Sequence, residues 1–300
     1  MNPLKNIRHN AMAIIACLLW SSAFVTVKHA LEYQSPLTLA GTRFILAGLI
    51  QIPLCGSLLA PFRMIRKEFT TVLWVSFFHT IYLYSTFFIG MQWVGGAEAA
   101  IIIGGGPLAS ALMAHLLMHD DKLQLRTLAG IAFGMGGIVL ISLATKPWSP
   151  VGLKEFFGLM LLLSGSFVSA IGNIVVAKRK GGLHPVTLNS AQMLIGGPAL
   201  LLLALLFEGP PNLVLPPVFY GQLLWLATIS ATAFAIWFHL LNKIKVSKLN
   251  LWKFLIPLSG ATLSWIILPD ESPTPASLIG MALIIIGLVV GQREKTKQPT

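Results

Sequence analysis

Polar side chains that could bind a small solute recur at helical spacing inside apolar stretches of the sequence. His79, Tyr82 and Thr86 lie at i, i+3 and i+7 in a run rich in Phe and Leu, so a helix would place them on one face. A protonated imidazole at His79 could bind a carboxylate. The alternative is hydrogen bonding between helices without contact to a ligand. Because polar groups that face lipid stay unsatisfied, the stripe is expected to face the protein interior.

Two further runs carry small polar side chains at the same spacing. Ser166, Ser169 and Asn173 follow the i, i+3, i+7 pattern, and Ser22 and Thr26 lie at i, i+4. Hydroxyl residues in apolar helices mostly hydrogen-bond to neighbouring helices, so packing is the leading interpretation for the serines and the threonine. Asn173 and Ser22 remain candidate contacts to a solute.

Aromatic side chains form comparable stripes. Trp20 and Phe24 lie at i, i+4, and Phe234, Trp237 and Phe238 lie at i, i+3 and i+4. Such stripes could wall a pocket for an amphipathic solute, with Trp20, Phe24 and Trp237 as the lining candidates. Ordinary packing between helices is the alternative.

Several kinds of chemistry are missing from the sequence. Gly104-Gly105-Gly106-Pro107 lacks the Gly-Lys-Ser/Thr of a phosphate loop and lies within an apolar run. There is no H-E-x-x-H pattern and no pair of acidic residues deep inside an apolar run. The sequence therefore predicts no catalytic residues, no metal and no cofactor, and a membrane-embedded enzyme or a passive scaffold is the disfavoured alternative.

The composition defines the kind of elements that must position these side chains. The chain is 55% hydrophobic and only 10% charged, whereas soluble domains contain about 25% charged residues. Ten apolar stretches are each long enough to cross a bilayer core of about 30 Å as a helix. The prediction is an all-α integral membrane protein with ten transmembrane helices, at approximately 11–30, 36–58, 70–91, 97–118, 124–144, 155–177, 185–207, 218–241, 249–268 and 276–292.

The sequence repeats at an interval of 150 residues. Pro107 falls on Pro257, Asp120 on Asp270, and Leu128, Gly130 and Gly137 fall on residues of the same type, without a gap. Two five-helix repeats follow, 1–149 and 150–300, and an odd number of helices in each makes the second inverted. Such a five-plus-five inverted repeat places a binding site near the midplane. Pro107 and Pro257 are then mirror-related kinks and candidate hinges.

The distribution of basic residues predicts the orientation. With both termini cytoplasmic, sixteen of the twenty-one Lys and Arg residues lie on inner segments, as the positive-inside rule requires. The net charge of +11 is spread over six such segments, which argues against nucleic-acid binding and favours anionic lipid headgroups as the counter-charge. We expect a multi-pass protein of the cell (inner) membrane.

Four charged residues are expected near the outer surface. Lys28 and Arg43 lie in the outer halves of the first two helices, and Glu32 and Glu98 are placed near them. Because a charge at the bilayer centre costs about 2.5–3.5 kcal/mol, pairing is favourable, and these residues are predicted to form an outer charged gate. The alternative is that Lys28 and Arg43 each extend to the surface independently.

Lys253 lies one turn inside the ninth predicted helix and one turn before Pro257, with no acidic residue in that helix until Asp270. Its side chain either extends toward the inner surface beside Lys248 or supplies a positive charge for an anionic group of a substrate.

Taken together, these residues resemble one known family. W-S-S-A-F-V-T-V-K at Trp20–Lys28, P-L-T-L-A-G-T-R-F at Pro36–Phe44, prolines in the fourth and ninth helices and paired glycines in the fifth and tenth are similar to the EamA-type carriers of the drug/metabolite transporter superfamily. The resemblance implies that helices one, three, four, six, eight and nine line a cavity. It also implies export of amino acids and other small metabolites. Ala170, where the first repeat has Trp20, departs from the pattern.

The expected function is therefore secondary transport, namely export of a small-molecule substrate by alternating access. Amino acids or related compounds are the expected substrates, and other amphipathic solutes or drugs are the alternative. The only carboxylate inside a predicted span is Glu98, so facilitated diffusion stands beside proton antiport. Gly130-x-x-x-Gly134 predicts helix packing, within a monomer rather than in a weak homodimer.

Overall fold

The computed structural model describes residues 3–94, 102–145, 152–179, 182–267 and 274–292. Within these ranges the chain is helical and contains no strand. The helices are α1 (Pro3–Ala30), α2 (Pro36–Gln51, extended by a 3-10 turn at Ile52–Cys55), α3 (Ala60–Lys67), α4 (Phe69–Ser76), a π turn (Phe77–Ile81), α5 (Tyr82–Met91), α6 (Gly106–Leu117), α7 (Leu125–Thr145), α8 (Leu153–Lys178), α9 (Pro185–Phe207), α10 (Pro217–Leu241), α11 (Val246–Leu251), a 3-10 turn (Trp252–Phe254), α12 (Leu255–Ile267) and α13 (Pro275–Gln292).

Among the described residues, seven helical segments are long and apolar enough to cross a membrane, and a shorter apolar helix covers Ile102–Leu117. The prediction of an all-helical membrane protein is thereby confirmed, whereas the number of crossings and the inverted repeat stay predictions. The seven segments are Pro36–Cys55, Phe69–Met91, Leu125–Leu143, Leu153–Lys178, Pro185–Phe207, Pro217–Leu241 and Pro275–Gln292.

Proline and glycine set many of the helix ends. Pro36, Pro185 and Pro217 each occupy the first turn of their helix, where the missing N–H breaks no hydrogen bond. Helix α9 ends at Phe207, and Gly209 then adopts a φ of 88°, which a residue with a side chain rarely does. These positions agree with the turns that the sequence predicts between apolar runs.

Helices α7 and α13 pack with their backbones in direct contact. A methyl group added at Gly130 would lie 2.7 Å from the carbonyl oxygen of Gly287, and one added at Gly280 would lie 2.6 Å from that of Gly137. Only glycine fits at this distance, as at other close crossings of apolar helices. We call these four residues the glycine seam. The packing face predicted around Gly130 is thus used within the chain.

Helices α2 and α9 form a second close contact. A methyl group at Gly41 would lie 3.0 Å from the Gly197 carbonyl oxygen, and one at Gly197 would lie 3.0 Å from that of Gly41. One side of the crossing also carries a hydrogen bond, since the Ser190 hydroxyl donates to the Gly48 carbonyl at 2.8 Å. The larger of the buried apolar clusters is built around these helices together with α1, α4 and α10.

The remaining helices pack around these two contacts. Helix α10 lies against α1 and α2, helix α8 lies against α5 and α6, and α9 lies against α4 and the π turn. Helix α12 packs on α1, and α11 packs on α6. Side chains near residues 20, 79, 173, 237 and 253 are brought together by this arrangement.

Two carboxylates join the halves of the sequence at helix ends. Glu208 accepts hydrogen bonds from the backbone N–H groups of Leu37 and Thr38 at the start of α2, at 2.9 and 3.2 Å. Asp121, which is 1% exposed, accepts from the Ser247 backbone N–H at 2.9 Å and from its hydroxyl at the start of α11. A carboxylate is favoured at a helix N-terminus because the helix dipole is positive there.

Candidate functional site

Three aromatic rings from α1 and α10 meet in the middle of the protein. The Trp20 ring lies edge-on to Phe234 and Trp237, with centroids 5.3 and 5.1 Å apart. Trp237 is 1% exposed, whereas Trp20 is only partly buried. Edge-on contacts of this kind fix the ring orientations and leave the partly exposed face of Trp20 as an aromatic wall.

A chain of amides continues from these rings. The Trp237 indole Nε1 donates to Asn173 Oδ1 at 3.2 Å, and Asn173 Nδ2 donates to Asn250 Oδ1 at 3.3 Å. Asn250 Nδ2 in turn donates to the Val246 carbonyl at 2.9 Å. Both asparagines are 0% exposed, so each polar group has exchanged water for a protein partner. The chain joins α8, α10 and α11.

His79 closes another side of the same region. The residue is 2% exposed, and its ring lies 6.1 Å from Phe234 and 5.4 Å from Phe238. Its Nε2 faces Gly172 and makes no hydrogen bond of ordinary geometry within the described ranges. The π turn that carries His79 is the kind of local irregularity that often marks functional positions in helices.

Lys253 supplies a cation at the edge of this region. Its Nζ lies 5.2 Å from the centroid of the Trp237 ring. Among the described residues no carboxylate lies within ion-pairing distance of it. Pro257 lacks an N–H, so the Lys253 carbonyl cannot accept the usual helical hydrogen bond four residues along. We call Trp20, His79, Asn173, Phe234, Trp237, Phe238, Asn250 and Lys253 the central cluster.

Tyr82, Thr86 and Ser22 lie outside the central cluster. The Tyr82 hydroxyl donates to Ser164 Oγ at 3.0 Å, so it joins α5 to α8. Thr86 is 6% exposed, donates to the Tyr82 carbonyl at 2.8 Å and faces Gly165. The Ser22 hydroxyl donates to the Leu19 carbonyl of its own helix at 2.8 Å.

The structure describes the side chains of only two residues of the predicted outer gate, Glu32 and Arg43. Glu98 and the side chain of Lys28 lie outside the described part of the chain. The same holds for the side chain of Phe24, which was predicted to line the pocket. Glu32 lies 3.4 Å from the ring of His29, one turn away on the chain. Arg43 lies 4% exposed in α2, where its Nε and Nη2 both donate to the Ser230 hydroxyl at 3.1 and 2.9 Å.

A buried polar chain runs from Arg43 between the helices. Ser230 is linked through its backbone carbonyl to Asn189 Nδ2, and Asn189 Oδ1 accepts from Gln192 Nε2 at 3.1 Å. Gln192 Oε1 accepts from the Thr80 hydroxyl at 2.6 Å. We call these five residues the polar chain. Sequence reasoning singled out only Arg43, although Asn189 and Gln192 inside an apolar run were a visible signal.

Both hinge candidates sit where regular helix begins after an interruption. Pro107 is the second residue of α6, directly after a turn closed by a hydrogen bond from Gly105 N to the Ile102 carbonyl. Pro257 is the third residue of α12, directly after the 3-10 turn Trp252–Phe254. Pro107 and Pro257, which are 150 residues apart, thus both follow an interruption of the α-helix.

Groups that could hold a metal ion are absent from the described residues, since no three His, Cys, Asp or Glu side chains cluster there. Buried amides, aromatic rings and a cation between apolar helices are instead suited to holding an organic solute. A helical membrane protein with such groups between its helices fits the transporter class.

Comparison with known proteins gives the family. Residues 8–143 and 156–290 match the EamA-like transporter family, so the chain belongs to it. An uncharacterised transporter of Synechocystis is 27% identical, over 97% of this chain and 92% of its own. One solved crystal structure has a TM-score of 0.78 over 94% of this chain and 96% of its own at 17% identity, which shows a shared fold.

Two other relatives have named solutes. An S-adenosylmethionine/S-adenosylhomocysteine transporter of Chlamydia trachomatis is 24% identical over 96% of this chain and 90% of its own. A probable amino-acid metabolite efflux pump of Salmonella typhimurium is 26% identical over 93% of both chains.

Proposed function

We propose that the protein is a secondary transporter that exports amino acids or related small metabolites by alternating access, with the central cluster as its substrate site. The observation that carries the proposal is the cluster itself, which joins aromatic walls, a paired-amide chain and a cation without a carboxylate partner among the described residues. A solute with an apolar part and polar or charged groups matches this set of side chains. Catalysis has no place in the proposal.

The helix packing supports an inverted repeat of ten helices. Each helix of 1–149 has a counterpart in 150–300. The contact of α1 with α10 corresponds in this way to the contact of α8 with α5. The contact of α2 with α10 corresponds to the contact of α9 with α4 and the π turn. In the glycine seam, Gly130–Gly287 corresponds to Gly280–Gly137. Two halves that pack in this reciprocal way can open one cavity alternately to each side.

The solutes of the two named relatives support the substrate class. S-adenosylmethionine and S-adenosylhomocysteine both carry an α-amino acid group, and the Salmonella relative is named for amino-acid metabolites. The word efflux in that name supports export. The distribution of basic residues supports a cell-membrane protein with both termini in the cytoplasm.

Around the site, we place hinges at Pro107 and Pro257. An outer charged gate of Lys28, Glu32, Arg43 and Glu98 stands as a separate hypothesis, because Glu98 lies outside the described residues. The gate is tested by exchanging charges between Arg43 and Glu98. If the two form a pair, the double exchange restores part of the transport that each single substitution abolishes. No restoration in the exchanged protein rules out the pairing.

A two-step experiment tests the function. Purified protein is first screened for thermal stabilisation by amino acids and their derivatives, and each stabilising compound is then measured for counterflow in proteoliposomes. Trp20→Ala should lower counterflow strongly, whereas Trp74→Ala should not, because Trp74 is 48% exposed on α4 and its ring packs against Phe77 and Phe78, away from the central cluster. Absence of flux for every stabilising compound would exclude transport of this class.

The same vesicles decide the energy source. Rates with and without an imposed pH gradient are compared for the same compound. A faster rate under the gradient identifies proton antiport, and equal rates identify facilitated diffusion.

A further inference from the structure

Arg43 is a buried cation whose charge is not compensated by any described carboxylate. Its guanidinium lies 4.9 Å from the centroid of the Phe44 ring and 5.5 Å from that of Tyr84, and its hydrogen bonds go to a neutral hydroxyl. Nη1 makes no hydrogen bond in the described part of the chain, and no described carboxylate is within ion-pairing distance. Because a charge in a membrane-spanning helix costs free energy, such a residue is by default a candidate functional group.

The position of Arg43 is fixed by helix α10. The Ser230 hydroxyl donates to the Leu226 carbonyl at 2.9 Å, so its oxygen lone pairs are turned toward Nε and Nη2 of Arg43. The Ser230 backbone carbonyl is also held, by Asn189 Nδ2 at 3.4 Å. The guanidinium is therefore oriented before any ligand arrives, which lowers the entropy cost of binding one.

One stripe of α10 connects Arg43 to the central cluster. Ser230, Phe234 and Trp237 lie at i, i+4 and i+7, on one face of the helix. Ser230 contacts Arg43, and Trp237 contacts Lys253. Seven residues of helix separate the two ends by about 10 Å. Two cations thus stand at opposite ends of a single aromatic stripe.

We propose that Arg43 and Lys253 are two successive binding points for the carboxylate of the transported solute, which moves between them along the α10 stripe. Guanidinium and ammonium groups donate charge-assisted hydrogen bonds to carboxylates, and these are stronger in a water-poor site. The path then selects carboxylates over neutral analogues of the same shape. This proposal adds selectivity for carboxylates to the proposed function, and it depends on the proposed function because the path ends in the central cluster.

Binding of a matched pair of probes tests the proposal. The probes are 3-phenylpropanoate and its neutral amide, since the phenyl ring suits Trp20 and Phe234 and neither compound has an amino group. We expect the unaltered protein to bind the acid about tenfold more tightly than the amide, as one charge-assisted hydrogen bond would give. Arg43→Gln and Lys253→Gln should each reduce this preference, the double variant should abolish it, and affinity for the amide should not change.

Matched variants separate charge from packing. Arg43→Lys retains the cation and should retain most of the preference for the acid. Thr80→Ala breaks a buried hydrogen bond elsewhere in the polar chain without touching a cation and should leave the preference intact. Equal affinity for acid and amide in the unaltered protein overturns the proposal, as does transport restored by the Arg43–Glu98 charge exchange. Acid selectivity without counterflow would instead count against transport and leave the binding points standing.

Discussion

The two ends of the polar chain occupy matching positions of the proposed repeat and differ in charge. A shift of 149 residues brings Arg43 onto Gln192, and a shift of 150 brings Thr80 onto Ser230. Arg43 bonds to Ser230 at one end, and Thr80 bonds to Gln192 at the other. A neutral amide and a hydroxyl form a hydrogen bond that leaves no net charge, whereas a guanidinium facing a hydroxyl keeps its charge. The comparison suggests a structural role for the Gln192 end and a binding role for the Arg43 end.

The remaining partners agree with this difference. Gln192 also donates to Asn189 Oδ1 at 3.1 Å, and its backbone carbonyl accepts from the Ser76 hydroxyl at 2.9 Å. Among the described residues, the other partners of the Arg43 guanidinium are the Phe44 and Tyr84 rings. Four substitutions test this difference, and they follow in decreasing order of the predicted change.

Asn189→Leu removes the residue that joins the two ends. Its amide donates to Gln51 Oε1 at 3.1 Å and to the Ala231 carbonyl at 3.2 Å, besides its contacts within the polar chain. Gln51 and Gln192 would both lose a buried partner, at a cost of about 2–3 kcal/mol in the free energy of unfolding. Denaturant titration in detergent measures the change. An unchanged free energy of unfolding would mean that Asn189 does not couple the two ends of the polar chain.

Arg43→Met should lower transport of a carboxylate solute about tenfold, which corresponds to about 1.4 kcal/mol, with little loss of folded protein. The reason is that methionine fills the apolar surroundings but carries no charge. Counterflow and thermal unfolding are measured on the same preparation. A fall in stability as large as the fall in transport would assign Arg43 a structural role instead.

Thr80→Val should show the opposite pattern. Gln192 Oε1 loses its donor, so the free energy of unfolding should fall by about 1 kcal/mol, while counterflow is retained. A loss of transport with unchanged stability would erase the distinction between the two ends.

Trp237→Phe extends the comparison to the central cluster. The ring is kept, but the hydrogen bond to Asn173 is lost, and interhelical hydrogen bonds in membranes contribute about 0.6 kcal/mol. We expect a small loss of stability, measured by thermal unfolding, and a weaker affinity for the stabilising solute, measured by titration calorimetry. A larger effect on stability than Asn189→Leu would reverse the expected ranking.

How much of this could be predicted differs from residue to residue. Periodicity predicted that His79, Tyr82 and Thr86 share a face, and all three do contact α8, because short-range helical spacing determines which side chains point the same way. Composition predicted the membrane helices, since only long apolar runs tolerate lipid. The packing face at Gly130 followed from the same local pattern.

Contacts between distant helices were harder to predict. The sequence predicts Glu98 near Arg43, and that pairing stays a prediction because Glu98 lies outside the described residues. The contact that the structure describes, with the Ser230 hydroxyl 187 positions away, gives no local signal in the sequence. Asn250, which extends the amide chain from Asn173, gave no signal for the same reason. Which faces of two helices meet depends on the packing of all the others, and a single sequence does not contain that information in local form.

The glycine seam also bears on the order in which the chain assembles. Some 130 residues separate the end of α7 from the start of α13, so the glycine face of α7 has no partner while they are synthesised. Until then, the surface that will accept α13 is open to any helix with a similar face. Two nascent first halves would offer each other nearly that face, because each seam glycine in one repeat is matched by a glycine in the other. Synthesis of α13 then closes this face within the chain.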